Sequence, residues 1–90
     1  MLEAVGATGS ITSAAKRLGM SYRRAWLLVE ETNALFRAPA VETMHGGPRG
    51  GGAQLTAFGS EVVRRYRRIE EAMERATRGD VRYLEAHAAE

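Results

Sequence analysis

The sequence predicts a mainly α fold: a winged helix-turn-helix with a short two-stranded wing and a long C-terminal dimerisation helix. Three observations predict it. Between residues 10 and 36, two short segments with apolar stripes each follow a serine and are separated by Gly19. A glycine-rich stretch at residues 46–52 lies between two short β-prone runs. The last segment repeats apolar residues every three or four positions, which is the period of one helix face.

Caps and apolar spacing define the first two helices. Met1 to about Ala7 should form a short helix that ends near Gly9. Ser10 can cap the second helix, because a serine oxygen accepts a hydrogen bond from a backbone N–H one turn in. Gly19 can end that helix, because glycine tolerates positive φ. The predicted buried stripe of this helix is Ile11, Ala14, Ala15 and Leu18.

A third helix should begin after Ser21, which can cap it, and run from about Tyr22 to Leu35. Helical spacing divides its side chains between two faces. The predicted inward face is Ala25, Leu28, Val29, Thr32 and either Leu35 or Phe36. The predicted outward face is Tyr22, Arg23, Arg24 and Leu27.

The wing and the last helix follow a break at Pro39. Residues 41–43 and 53–55 are predicted to be two short strands, and the tip between them is too rich in glycine and proline for regular structure. Thr56 should cap the last helix, which is predicted to run from Ala57 to about Thr77, with Gly79 beyond its end.

Composition excludes several classes of protein. The chain has 90 residues, no cysteine and two separated histidines, so neither disulfides nor a metal site is expected. It has no long apolar run and no signal-peptide pattern at its start, which predicts a cytoplasmic protein without a membrane partner. No nucleophile–base pair or paired buried carboxylates can be assembled, so we expect neither an enzyme nor a cofactor.

Positive charge is concentrated in the helix-turn-helix. The net charge is only +2, but residues 1–38 carry five Lys or Arg against three Glu, whereas the remainder is balanced. This is where attraction to phosphates would be needed. The pattern therefore predicts binding to double-stranded DNA, with the tip of the third helix in the major groove.

The predicted DNA-binding residues lie on the two helices of the helix-turn-helix and on the wing. Ser10, Thr12 and Ser21 can cap helices, bind phosphates, or both. Trp26 lies beside the core residue Ala25, so it can either pack inward or support the DNA-facing surface. The wing loop can contact DNA or be disordered without it. The full predicted set is Ser10, Thr12, Ser21, Tyr22, Arg23, Arg24, Trp26, His45 and Arg49.

The last helix carries an apolar row, here called the dimer stripe, which consists of Phe58, Val62, Tyr66, Ile69 and Met73. A small domain cannot easily cover so long a stripe, and its spacing is typical of a helix that pairs with another helix. Its first residues are expected in the core, and Tyr66, Ile69 and Met73 in a homodimer interface. The arginines at positions 64–68 fit a solvated, salt-bridged face better than a second DNA site.

With these elements placed, residues 2–60 resemble the N-terminal DNA-binding domain of the molybdate-responsive repressor (ModE) family and, more distantly, the winged helix of LysR-type regulators. The most specific motifs are Ser21-Tyr22-x-x-Ala25-Trp26 and Gly46-Gly47-x-x-Gly50-Gly51-Gly52-Ala53-x-Leu55-Thr56. Leu2-Glu3-Ala4, Gly9-Ser10-Ile11, Ala14-Ala15-Lys16 and Gly59 also match.

The resemblance implies a sequence-specific transcriptional regulator. Full-length family members bind molybdate through separate C-terminal domains, and the resemblance here covers only their DNA-binding domain. No small-molecule effector site is therefore expected in this chain. We divide the single domain into residues 1–56, the DNA-binding core, and residues 57–90, the dimerisation helix and tail. An alternative is a winged-helix protein-interaction module that docks through its last helix.

Overall fold

The computed structural model of the protein describes residues 1–44 and 52–89. The two described strands pair antiparallel, with Val41 opposite Leu55 and Met44 opposite Gly52. This confirms the predicted mainly α winged helix-turn-helix fold with a long last helix. The elements in chain order are α1 (Leu2–Thr8), α2 (Ile11–Leu18), α3 (Tyr22–Leu35), β1 (Val41–Met44), β2 (Gly52–Leu55) and α4 (Ala57–Ala86).

All the predicted caps form. The hydroxyl oxygens of Ser10, Ser21 and Thr56 each accept a hydrogen bond from the backbone N–H three residues later, at 2.9, 3.1 and 2.9 Å. Gly9 and Gly19 end α1 and α2 in the left-handed region, with φ of 75° and 68°. These local interactions explain why the first three helices begin and end where the sequence predicts.

The core is small and rich in alanine, so the elements approach one another closely. Helices α1, α2 and α3 pack together, and the base of the wing closes the core from the side of α1. There the Ala53 N–H of β2 donates to the Gly9 carbonyl oxygen at 2.9 Å, which joins the wing to the turn between α1 and α2. The buried residues that contact one another are Ala4, Val5, Ile11, Ala14, Ala15, Ala25, Val29, Val41 and Ala53.

Two apolar side chains lie farther out than the sequence predicts. Leu18 is 44% exposed, because it ends α2 at the rim of the core and lines an open groove beside α4. Leu35 is 76% exposed, because α3 ends there and extends past the core. The neighbouring Phe36 only partly fills the inward position and meets Phe58 edge to face, with ring centroids 5.2 Å apart.

Helix α4 is longer than predicted, because it continues through Gly79 to Ala86. Glycine costs only about 1 kcal/mol relative to alanine inside a helix. Such a cost does not end a helix whose neighbouring residues continue the hydrogen-bond ladder, and Gly79 does not adopt the positive φ of a helix end. Every residue from Arg64 to Ala89 is exposed, so the greater part of α4 extends beyond the core.

One ion pair joins the first helix to this extension. Arg67 Nε on α4 donates to Glu3 Oε1 on α1 at 2.9 Å. The hydrogen bond and the charge of Arg67 lower the pKa of the Glu3 carboxyl below its usual range. Both groups are solvent-exposed, so the pair contributes more to the direction of α4 than to stability.

Ala40 is the point where β1 meets α4. Its carbonyl oxygen accepts a hydrogen bond from the Thr56 N–H at 3.0 Å, and the Thr56 hydroxyl donates to the Pro39 carbonyl at 2.7 Å. Gly59, in the first turn of α4, is buried against the same peptide. A Cβ on Gly59 would lie 2.9 Å from the Ala40 carbonyl carbon and would overlap its oxygen. The joint therefore requires glycine at this position.

Asn33, near the end of α3, joins that helix to the base of the wing. Its Oδ1 accepts hydrogen bonds from the N–H groups of Ala40 and Val41 at 2.8 and 3.1 Å. Its Nδ2 donates to the Val41 carbonyl at 3.1 Å. Because Ala40 and Val41 are buried, one side chain satisfies three backbone groups that water does not reach.

Replacing Gly59 with alanine tests the joint between β1 and α4. We expect Gly59→Ala to lower the free energy of unfolding by about 3 kcal/mol, because the new methyl group must displace backbone. Gly79→Ala is the matched control, since a Cβ there meets no atom within 4 Å. It should raise stability by about 0.5–1 kcal/mol. Urea unfolding at one protein concentration measures both, and equal effects would contradict this account of Gly59.

Replacing Asn33 with alanine tests the connection between α3 and the wing. Two buried N–H groups lose their acceptor, so we expect the free energy of unfolding to fall by about 3 kcal/mol. The exchange of the Ala40 and Val41 amide hydrogens should accelerate. An Asn33→Ala variant within about 0.5 kcal/mol of the parent would show that the three bonds contribute little.

Candidate nucleic-acid interface

The helix-turn-helix is held by a short, hydrogen-bonded turn. The Met20 N–H donates to the Ala15 carbonyl at 3.0 Å, and the Gly19 N–H donates to the Lys16 carbonyl at 3.2 Å. Ser21 then caps α3. Because backbone hydrogen bonds and a capping hydroxyl satisfy the N–H groups of the turn, the start of α3 has a defined position relative to α2.

The outer surface of α3 is a single row of side chains that we call the outward row. It consists of Arg23, Leu27, Glu30 and Ala34, all exposed and spaced by four, three and four residues. This spacing places them on one face of the helix. The opposite face carries Ala25 and Val29, which are buried in the core. The outward row is therefore the part of α3 that a groove-binding helix would present.

Tyr22 and Arg24 border the outward row at the tip of α3, and both side chains are exposed. The structure thus brings three of the predicted DNA-binding residues, Tyr22, Arg23 and Arg24, together in one exposed turn. Leu27 continues this surface, although the predicted binding set leaves it out. Its spacing of four residues from Arg23 is the signal that points to it.

The basic side chains at the start of α3 lie against the helix dipole. Arg23 and Arg24 are in the first turn, where the dipole favours anions, whereas Glu30 and Glu31 precede the last turn and lie outside the range of the dipole. Each arginine in the first turn costs about 0.3–1 kcal/mol at an exposed site. Folding does not explain this pattern, whereas a polyanion bound at the tip of the helix would.

The hydroxyl groups predicted to contact phosphates belong to Ser10, Thr12 and Ser21. Ser10 and Ser21 act as caps, and Ser10 is half-buried, whereas Thr12 and Ser21 are exposed. A capping hydroxyl accepts through its oxygen and can still donate its proton. Contact with phosphate by Ser10, Thr12 and Ser21 stays a prediction.

Trp26 is half-buried and packs against the core cluster. Of its two interpretations, the geometry favours inward packing, in which the ring supports the first turns of α3 from behind. A direct DNA contact by Trp26 stays a prediction. His45 and Arg49 lie outside the described residues.

The dimer stripe is only partly used by the fold. Phe58, expected in the core, is instead 36% exposed, because it packs edge to face against Phe36, which is itself 40% exposed after the end of α3. Val62 is half-buried. Tyr66, Ile69 and Met73 are between 56% and 60% exposed. Beside this stripe, a groove of about 510 Å³ separates α4 from α1. Its apolar lining is Met1, Leu2, Ala4, Leu18, Val62 and Val63.

Residues 1–44 and 52–89 contain no group of three or more His, Asp or Glu side chains placed to hold a metal ion. Over these ranges, no helix is both long enough and apolar enough to cross a membrane.

Comparison with known proteins gives a consistent set of relatives, although no family model matches the chain. The chain is 46% identical over 70 residues to the molybdenum-pterin-binding protein MopB of Rhodobacter capsulatus, covering 78% of this chain and 26% of MopB. It is 43% identical over 70 residues to the molybdenum transport protein ModE of Azotobacter vinelandii, with the same coverage of 78% and 26%.

A third relative is the DNA-binding transcriptional dual regulator ModE of Escherichia coli K12. It is 36% identical over 76 residues, which cover 84% of this chain and 29% of the regulator. The chain thus spans about a quarter of the length of the curated relatives it matches. The distant likeness to LysR-type regulators stays a prediction. The resemblance to ModE is confirmed, and the chain carries a ModE-like winged helix-turn-helix domain.

Proposed function

We propose that this chain binds double-stranded DNA sequence-specifically as the DNA-binding part of a transcriptional regulator. The observation that carries the proposal is the tip of α3, where Tyr22, Arg23 and Arg24 are exposed together and the two arginines oppose the helix dipole. A relative of this chain is described as a DNA-binding transcriptional dual regulator. The outward row gives the helix a surface that fits the major groove.

Contacts divide between phosphates and bases. The first turn of α3 inserts into the major groove, where a guanidinium can donate two hydrogen bonds to guanine O6 and N7. Thr12 and the serine hydroxyls of the caps donate to phosphates on the groove edge. The wing, with Arg49 and His45, contacts the neighbouring backbone or minor groove. Binding should therefore weaken steeply with salt.

The functional unit is a homodimer formed by the dimer stripe. The extension of α4 is a helix with almost no burial, whereas most helices in proteins are stabilised by tertiary packing of one apolar face. A second copy would cover Tyr66, Ile69 and Met73. Twofold symmetry would then present two recognition helices to half-sites about 34–36 Å apart, or a multiple of that distance.

The regulated genes are those concerned with molybdenum, and the protein acts in the cytoplasm. The relatives are described as molybdenum transport and molybdenum-pterin-binding proteins as well as regulators. In this proposal the chain serves as the DNA-binding unit, and any small effector is sensed elsewhere. We assign it no cofactor and no catalytic activity.

A protein-interaction module that docks through α4 is the second candidate, favoured by the exposed apolar side chains of that helix. It does not need the arginine pair at the tip of α3. The two functions therefore differ in whether that pair contributes to binding of DNA.

Arg23→Ala and Arg24→Ala test the proposal. Each should weaken binding to a selected duplex by about 1–3 kcal/mol if the arginine contacts a base. An arginine that contacts phosphate instead should reduce the salt slope by about one. Fluorescence anisotropy across a salt series measures both quantities. Arg78→Ala on the α4 extension removes the same charge at an exposed site and should change little. Unchanged affinity for both α3 variants would place the DNA-binding face elsewhere on the protein, whereas failure of the unaltered protein to bind any duplex selectively would favour the protein-interaction module.

Tyr66→Glu combined with Ile69→Glu tests the dimer. Two carboxylates in the stripe cannot be buried without a large desolvation cost, so we expect monomers in sedimentation equilibrium. Arg68→Glu changes the net charge by the same two units on another face of α4 and should leave the dimer intact. A double variant that sediments as a dimer would place the interface elsewhere.

A further inference from the structure

We propose that Leu27 reads the C5-methyl group of a thymine in the major groove, and so determines part of the sequence that the protein prefers. This inference rests on the proposed DNA binding through α3. It assigns base recognition to an apolar side chain that the polar binding set does not include.

The position of Leu27 is unusual for a leucine of this helix. Its side chain is 48% exposed, and it lies in the middle of the outward row, directly opposite the buried face. Arg23 precedes it by one helical turn on the same face. An exposed leucine is common by itself. Here it occupies the centre of the surface proposed to enter the groove, and packing within the domain does not require it there.

Charge limits how far α3 can enter the groove. Glu30 and Glu31 are exposed on the turn after Leu27, and their carboxylates are repelled by phosphates. In the proposed complex the turns from Tyr22 to about Leu28 therefore lie deepest in the groove. Leu27 is the last outward side chain before the acidic turn, so it reaches base edges while the rest of the helix tilts away.

The chemistry of Leu27 selects its base. A leucine side chain neither donates nor accepts hydrogen bonds, so it cannot read the polar edges of guanine, cytosine or adenine. The thymine methyl is the apolar group that the four bases present in the major groove. Contact between two apolar groups removes both from water and is favourable.

Spacing along the helix relates this thymine to the guanine contact. Leu27 lies four residues beyond Arg23, which is about 6 Å along the helix axis. Base pairs are spaced by about 3.4 Å. A helix lying along the groove thus places the thymine within about two base pairs of the guanine that Arg23 contacts.

The experiment replaces thymine with deoxyuridine, which removes only the methyl group. A duplex is first selected from random DNA with the unaltered protein. Each thymine of one half-site is then replaced singly, and affinity is measured by anisotropy. We expect one position, within about two base pairs of a guanine, to lose about fourfold in affinity, the effect of one buried methyl group.

Leu27→Ala should bind the thymine and deoxyuridine duplexes equally at that position. Leu35→Ala, which truncates an exposed leucine at the far end of the same helix, should keep the fourfold difference. Circular dichroism would establish that both variants are folded.

The outcomes separate the two proposals. Selective binding without a deoxyuridine effect at any position would leave the proposed function standing and overturn the role of Leu27. Discrimination that persists in Leu27→Ala would also overturn it, because another residue would then contact the methyl group. Failure to select any duplex would overturn the proposed function and this inference with it.

Discussion

The structure depends on the peptide groups around Ala40, where α3, β1 and α4 meet. Asn33 accepts from the Ala40 N–H, Thr56 donates to the Ala40 carbonyl, and Gly59 leaves room for that carbonyl against α4. The core is built largely from alanine and valine, whose burial gives little stabilisation per residue. Backbone hydrogen bonds therefore determine how the wing and the long helix are oriented around the recognition helix.

That orientation matters because the proposed DNA contacts depend on presenting one turn of α3 at a fixed distance from the wing and from α4. The two arginines in the first turn of α3 are placed against the helix dipole, which lowers the stability of the isolated helix. The serine cap and the hydrogen-bonded turn offset part of that cost. The same arginines gain a favourable partner when phosphates or guanines approach the helix tip.

The α4 extension carries an apolar surface that the domain itself does not cover. Its arginines and glutamates keep it soluble, and Glu61 pairs with Arg64 and Arg65 near its base. These exposed pairs contribute little to stability. Its apolar stripe remains open to water and lies next to the groove beside α1. In the proposed dimer, a second copy of the helix would supply what the small core cannot, which is enough apolar area to hold the extension in place.

The sequence by itself determined the helix starts, the turn at Gly19 and the two strands, because each depends on hydrogen bonds or backbone preferences within a few residues. It also located the basic tip of α3. The tertiary structure alone decided that Leu18 and Leu35 lie at the rim of the core, because burial depends on neighbours distant in the chain. It likewise revealed that Asn33 bonds to Ala40 and Val41, seven and eight residues away. The length of α4 beyond Gly79 was decided by helix cooperativity, which one glycine does not overcome.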